Sequence, residues 1–423
     1  HCDDIMVVIE RWEGYWLGGE KAWTLVYGRR KTGKTFLLKR YVGWDAYYTV
    51  GRSGYGVLER GGSELLPYRE GLRAVIDSLR SGGTVVIDEF QRLPEWAWDW
   101  ISSAAGSTRG RLVLCGSSVG IVSRVFDRRS PLLGALNPFR VDLASPSDAV
   151  RSLSRHLPPS RALLWSVLAR DPWLLGLVEP TGDPDRVLAD KARTLIPSAA
   201  GLIGEVFREE ERELTRLYDA TLRMLAQGYW SAGAVALKLY EAGLIDRPQA
   251  SHVTGILDQL VKLGLAERLR LWRTRHARVY YRHRSSLLSM LMYVEERYPD
   301  ERPPPETIRT LLGVEAQFFV GELLAEVKGL SRAYHVAAES EVDIVLMKGS
   351  APVIGYEVKL GPIAPIEARR AAEKLKALGI PRVGLVSLSE TPEGTADEAL
   401  GPDDLVEMAR RYAEERISKL TER

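Results

Sequence analysis

The stretch Gly28-Arg29-Arg30-Lys31-Thr32-Gly33-Lys34-Thr35 constrains this chain more than any other, because it fits G-x-x-x-x-G-K-[ST] in the one setting where that pattern has meaning. Before it, Trp23 to Tyr27 is an apolar run of strand length. After it, Phe36 to Tyr41 continues as a helix. Gly28 and Gly33 let the backbone curl so that successive amides face phosphate oxygens at the helix N-terminus. Lys34 is then the side chain for the β- and γ-phosphates, and the Thr35 hydroxyl is a ligand for Mg²⁺. The whole loop, Gly28, Arg29, Arg30, Lys31, Thr32, Gly33, Lys34 and Thr35, is assigned to nucleotide binding.

Further along, Ala46 to Val50 reads as a short strand and Leu65 to Leu79 has helical spacing. Thr84-Val85-Val86-Ile87 then runs into Asp88-Glu89, an apolar strand ending in two carboxylates at the edge where parallel sheets bind ligands. Asp88 suits the Mg²⁺ shell, and Glu89 suits a group that polarises water against a terminal phosphate. Another buried strand, Arg111 to Gly116, ends in Ser117 and Ser118. Either serine can be a polar sensor of the phosphate, and serines after a glycine also make ordinary turns. Cys115, inside that strand, reads as a small core residue.

Taken together, Gly28 to Thr35, Val85 to Leu93, Leu112 to Ser118 and Ser130-Pro131-Leu132-Leu133-Gly134 resemble the archaeal P-loop ATPase family on the STAND-like, AAA-related branch. That resemblance implies ATP and Mg²⁺ as cofactors, ATP hydrolysis, and a helical lid over the nucleotide. Family members continue from the last glycine into an arginine. Here Ala135 follows, and Arg124, Arg128, Arg129 or Arg140 would have to substitute.

Helical spacing sets in after Ser145, and Ser147-Asp148 and Asp171-Pro172-Trp173 read as helix starts. Segments Leu214 to Leu225, Ser231 to Tyr240 and Ser251 to Leu263 read as three helices. A hairpin then spans Leu265 to Leu271 and Arg278 to Arg282, so the pattern is a winged helix-turn-helix. Arg268, Arg270, Arg273, Arg275, Arg278 and Arg282 lie along this wing, interleaved with Trp272, Tyr280 and Tyr281. Such a hairpin suits a phosphate backbone, which makes double-stranded DNA the expected partner. The resemblance leaves a second role open, with the winged helix packed as a regulatory arm on the ATPase.

Past the proline-rich stretch Tyr298 to Pro305, a helix, three strands, a helix and a strand give the αβββαβ order of a restriction-endonuclease core. Asp343, Glu357 and Lys359 carry its chemistry. Glu357 and Lys359, two apart on one strand, share a face, and Asp343 comes from the neighbouring strand. The two carboxylates are candidate metal ligands and the lysine positions water; Glu315, or Glu322 further along the helix, is the candidate additional acid. The region resembles the PD-(D/E)xK nuclease-like domain at the C-terminus of the same ATPase family. Cleaving and non-cleaving readings both stay open.

The expected fold is multidomain α/β. A P-loop NTPase core with an additional strand spans 1–145, a lid 146–207, the winged helix 208–298, and the linker with its nuclease-like domain 299–423. No apolar run reaches membrane-spanning length, no secretory leader pattern opens the sequence, and only two cysteines occur, so a cytoplasmic protein without a membrane partner is expected. A net charge of +2 confines any nucleic-acid surface to a local patch. A single asparagine, Asn137, hints at a hot-growing source. The expected function is an ATP-driven, DNA-associated switch with a metal-dependent nuclease domain. The alternative is a STAND-type signalling scaffold whose nucleotide state controls homo-oligomer assembly and protein partners.

Overall fold

Runs such as Thr24-Leu25-Val26-Tyr27 and Val85-Val86-Ile87 have no polar face, so they fold only where helices cover both sides of a sheet. The computed structural model describes residues 7–105, 108–117, 120–210, 212–273, 279–337 and 340–422. Ser118, Arg275 and Arg278 lie outside the described residues. Among those described, no helix is long and apolar enough to cross a membrane. The chain forms two compact units. One holds Trp12–Asp142, Leu202–Glu213 and Ile417–Arg423, the other His1–Arg11, Leu143–Gly201 and Leu214–Arg416.

The first unit runs through α1 (Trp12–Gly19), β1 (Thr24–Tyr27), α2 (Lys34–Tyr41), β2 (Ala46–Val50), β3 (Tyr55–Glu59) and β4 (Ser63–Pro67). It continues with α3 (Tyr68–Arg80), β5 (Thr84–Asp88), α4 (Glu95–Ala105), β6 (Arg111–Gly116), α5 (Gly120–Val125) and β7 (Asn137–Arg140). The strands form one sheet in the order β4-β3-β2-β5-β6-β1-β7. It is parallel from β2 to β7, and β3 and β4 are antiparallel. Strand β6 lies between the loop-bearing β1 and the Asp88-bearing β5, which is the additional-strand arrangement. Alternate side chains enter two cores. Leu25, Tyr48, Ile87 and Leu114 pack with Leu72 and Trp98, and Val26, Tyr47, Val86 and Cys115 pack with Leu17, Leu37 and Leu38.

One local expectation is corrected here. Leu65 and Leu66 belong to β4, which pairs with β3, and the helix begins only at Tyr68. The apolar spacing of Leu65, Leu66 and Leu72 fits a helix by itself, but the cross-strand partners Val57 and Gly56 draw the first two into a hairpin.

The second unit contains α6 (Pro146–Leu153), α7 (Pro159–Ala169) and a short 3₁₀ turn at Pro172–Gly176; α8 (Pro184–Glu209) contributes residues to both units. Next come α9 (Arg216–Ala226), α10 (Ala232–Glu241), α11 (Ser251–Lys262), β8 (Ala266–Arg270), β9 (Val279–His283) and α12 (Ser286–Arg297). Finally come α13 (Pro305–Lys328), β10 (Ser331–Ala337), β11 (Ser340–Lys348), β12 (Ala351–Lys359), α14 (Pro365–Ala377), β13 (Val383–Ser387), β14 (Glu398–Leu400) and α15 (Pro402–Thr421), which like α8 contributes residues to both units.

Strands β8 and β9 form an antiparallel pair directly after three helices. Strands β10 to β14 form a separate five-stranded sheet in chain order, parallel from β12 onward. A Cβ on Gly321 of α13 would meet Ile344, and one on Gly355 would meet Leu375 and Ile380, so α13 and α14 cover opposite faces.

Candidate nucleotide site and second carboxylate cluster

Between β1 and α2 the loop takes a course that side chains resist. Gly28 has φ 146°, and a Cβ there would come within 2.1 Å of the Val141 carbonyl; Gly33 has φ 89°. Lys31 is also left-handed, at φ 61°. Thr32 is buried and donates to the Arg29 carbonyl at 2.9 Å, which pins the turn, and Arg29 is itself buried. The ammonium of Lys34 donates to the carbonyls of Gly28 (2.9 Å) and Arg29 (2.8 Å), folded back inside the curl. Burial pulls its pKa down, against the opposing charge of Asp88.

Asp88, buried at the end of β5, accepts from Thr35 Oγ1 and from Tyr47 Oη, each at 2.7 Å and both on Oδ2. Its other oxygen accepts from the Glu89 backbone N–H at 2.9 Å. A hydroxyl beside a fixed carboxylate is a hard oxygen donor pair suited to Mg²⁺ with water completing the shell. The loop, Asp88 and the cradle formed by Gly28 therefore fit a Mg²⁺-bound phosphate chain. The pocket lined by Arg30, Lys31, Gly33, Lys34, Thr35, Phe36, Asp88, Glu89 and Ser117 measures about 200 Å³. Whole-ligand sites run to roughly 300–1,000 Å³, so this one matches the phosphate end of a nucleotide.

Glu89 follows Asp88 in the left-handed region at φ 57°. Its carboxylate lies 3.0 Å from Arg92 Nη2 and 3.5 Å from Arg30 Nη1, and it accepts from Gln91 Nε2 at 2.8 Å. Ser117 Oγ stands 3.4 Å from it and accepts from Gln91 Nε2 at 3.0 Å. Sequence reading brought Glu89 and Ser117 to this site but missed Gln91, Arg92 and Tyr47. The first two follow the acidic pair within one turn, which is the signal available for them. Of the arginines proposed to replace the missing one, Arg124 sits over the Trp98 ring at 5.2 Å and, with Arg129, lines a cleft beside Glu95 and Asp127. Cys115 is buried core, as its setting required, and burial pushes its thiol far above the ordinary range.

In the second unit, Asp343, Glu357 and Lys359 share the α14 face of the sheet. Asp343 Oδ2 accepts from the Val358 N–H at 2.8 Å. Burial, reinforced by the Glu357 charge, pushes its carboxyl up to about 7. Two like charges brought together invite a cation. Lys374 of α14 supplies one, 2.7 Å from Glu357, and Lys359 is paired with Glu367. Among the described residues, no group of three or more His, Cys, Asp or Glu side chains is placed to hold a metal ion. Two carboxylates and water still form a donor set that fits Mg²⁺.

Glu315 is not part of this cluster. It lies on α13, across the sheet, buried against Arg282. The alternative acid, Glu322, is gripped by Arg170 at 2.6 Å and Arg284 at 3.1 Å; those charges hold it well below its usual range despite burial. Both acids serve an ion network with Arg170, Arg282 and Arg284.

The hairpin also departs from expectation. Arg282 is only 4% exposed, bonded to Glu267 at 2.9 Å and to Glu315, with its guanidinium 4.0 Å from the Phe318 ring centroid. It is not a surface contact. Tyr280 and Trp230 pack with Phe318 and Tyr334, and the Trp272 N–H donates to the Tyr334 carbonyl at 2.9 Å. Trp272 and Tyr280 thus face the edge strand β10, whereas Tyr281 turns the other way and donates to Asp258 of α11 at 3.0 Å. Arg268, Arg270 and Arg273 are exposed; Arg268 pairs with Asp258, Arg270 donates to the Gly349 carbonyl at 2.9 Å, and Arg273 donates to the Leu378 carbonyl.

No family model matches the chain, and no curated protein matches it. Solved structures do. The chain is similar to the Aeropyrum pernix ORC2 protein in its ADPNP-ADP complexes, at 15% identity over 72% of this chain and 90% of that one, with a TM-score of 0.38. It is also similar to the Aeropyrum pernix ORC1 protein in complex with DNA, at 16% identity, 70% and 96% coverage and a TM-score of 0.31. A third is the STAND protein with a tetratricopeptide repeat sensor, PH0952 from Pyrococcus horikoshii, at 15% identity over 77% of this chain and 46% of that protein, TM-score 0.28. Likeness at this level assigns no activity to the chain.

Proposed function

We propose that this chain is an ATP-binding and ATP-hydrolysing switch that associates with DNA. The observation that carries the reading is the convergence of the Gly28 to Thr35 curl, Thr35 bonded to Asp88, and Glu89 beside Ser117 at one sheet edge. Lys34 and the loop amides would bind the phosphates, and Thr35 and Asp88 would hold Mg²⁺, which neutralises charge on the phosphate oxygens when bound. Glu89 would take a proton from the attacking water. The division into ATPase core, lid, winged helix and nuclease-like domain, and a cytoplasmic location, belong to the same proposal.

Asp343, Glu357 and Lys359 are proposed as a metal-dependent phosphodiester site, with Glu315 removed from it. Glu89→Gln should keep ATP bound and lose turnover; unchanged turnover removes Glu89 from its role. Cleavage of a DNA panel with Mg²⁺ or Mn²⁺ should vanish in Asp343→Ala, and its survival points away from this cluster.

A second reading is favoured by one observation: Tyr280 and Trp272 pack on β10 and Arg282 is internal. A docked hairpin suits a regulatory arm in a signalling scaffold. The slope of log affinity against log salt for duplex DNA separates the two, since a phosphate-contacting wing gives a steep slope and a scaffold gives no binding at low salt.

A further inference from the structure

The last turns of α8 bring two acids, Glu205 and Glu209, onto Arg30 of the nucleotide pocket, and Glu209 is held as a phosphate would be. Glu209 accepts from Gln91 Nε2 at 2.9 Å and lies 3.3 Å from Arg30 Nη1, 3.5 Å from Arg92 Nη2 and 3.5 Å from Arg52 Nη2. Its side chain is 9% exposed. Glu205 bonds Arg30 Nε at 2.6 Å, and Glu210 accepts from the Gly120 N–H at 2.8 Å, so the turn is fixed on both flanks. Burial alone would raise the Glu209 pKa, but the Gln91 hydrogen bond and the charges of Arg92 and Arg30 outweigh it and hold the carboxyl low.

Arg30, Gln91 and Arg92 also grip Glu89, the residue read as the base. A fork of guanidiniums and an amide closing on an anion is the cradle that phosphoryl oxygens use. We infer that Glu209 competes with the terminal phosphate of ATP for Arg30, Gln91 and Arg92, and thereby sets the site's discrimination between ATP and ADP. This rests on reading Gly28 to Thr35 as a nucleotide site. Lys34 and Thr35 engage the β-phosphate that both nucleotides carry; only the third phosphate reaches the cluster that Glu209 occupies. Arg30 and Arg92 then do the work of the arginine absent after Gly134. Displacing Glu209 leaves Arg30, Gln91 and Arg92 on the phosphate and releases the carboxylate of Glu89 for water.

Glu209→Gln keeps the side chain's shape and removes its charge. Titration calorimetry on the full chain with Mg²⁺ and either ATPγS or ADP should show ATPγS binding tightened about tenfold, the scale of one charge-assisted contact, with ADP within about twofold of the unaltered protein. Equal tightening of both nucleotides, or none for ATPγS while ADP binds normally, overturns the inference and leaves the nucleotide site standing. Binding of neither nucleotide to either protein overturns both. Should the variant fail to fold, hydrogen exchange in the unaltered protein decides: ATPγS should speed exchange across residues 202–213 relative to ADP, and identical exchange overturns the inference.

Discussion

Removing Arg282 is the perturbation that separates an internal arginine from a DNA-contacting one. Its guanidinium is bonded to Glu267 and Glu315, and Arg282 and Glu315 are 4% and 5% exposed. Arg282→Ala leaves Glu315 in the interior without the cation that neutralises it. Breaking a buried pair in this way costs about 3–5 kcal/mol. Glu267 is less affected, because Arg284 and Arg332 remain, at 3.3 Å and 2.8 Å. The double change Arg282→Met with Glu315→Leu should recover most of the loss, since it removes both charges and keeps the volume against Phe318. Arg268→Ala, at a 51% exposed side chain paired with Asp258, should change stability by no more than about 1 kcal/mol. Urea denaturation followed by tryptophan fluorescence measures all of these, Trp230 packing against Tyr280 of the hairpin and against Phe318. A DNA-contacting arginine behaves in the opposite way. Its removal leaves stability unchanged and lowers the salt slope of DNA binding by about 0.9. That outcome for Arg282→Ala, with a stability change below about 1 kcal/mol, refutes the internal assignment.

Other groups give independent tests. Tyr47 is fully buried and donates to Asp88, and its hydroxyl is pushed far above the ordinary range by burial and the Asp88 charge, so it remains a donor. Tyr47→Phe should cost about 1.5–3 kcal/mol in denaturant unfolding, the scale of a hydrogen bond to a charged acceptor; a loss under about 0.5 kcal/mol shows that Thr35 alone orients Asp88. His283 is buried with Nε2 at 2.8 Å from the Leu222 carbonyl, so Nε2 carries the proton, and burial lowers its pKa to about 4. Because the folded value lies below the unfolded one, the unfolded chain binds more protons between pH 6.5 and 4. The His283 contribution is full above pH 6.5 and falls as acid is added toward pH 4, by up to about 3 kcal/mol. His283→Gln should flatten stability against pH in that window, and an unchanged slope assigns it to another group.

Much of the nucleotide site is legible in the chain because its parts are local. The loop, the strand before it and the helix after it lie within Thr24 to Tyr41, and the Asp88-Glu89 pair closes a single strand. What is not legible is set by partners distant in sequence. Glu209 reaches Gln91 across 118 positions, and Tyr47 reaches Asp88 across 41; neither leaves a spacing to read. The hairpin shows the same limit from the other side. Alternating arginines and aromatics on β8 and β9 read as an exposed basic wing, and the pattern is indifferent to whether water or another sheet covers it. Glu267, Glu315 and Glu322 turn Arg282 and Arg284 inward, and Phe318 and Tyr334 cover Tyr280. Strand β14 and helix α15 also escape the reading. Glu398-Ala399-Leu400 is too short to show alternation and is identified only by its pairing with β13.

The central claim is that the loop from Gly28 to Thr35 binds the phosphates of ATP through Lys34. Calorimetric titration of the full chain with ATPγS and Mg²⁺ tests it most directly, alongside Lys34→Ala. The arrangement predicts saturable one-to-one binding that is lost in the variant while its unfolding transition is retained. Equal binding by the two proteins, or none by either, contradicts it.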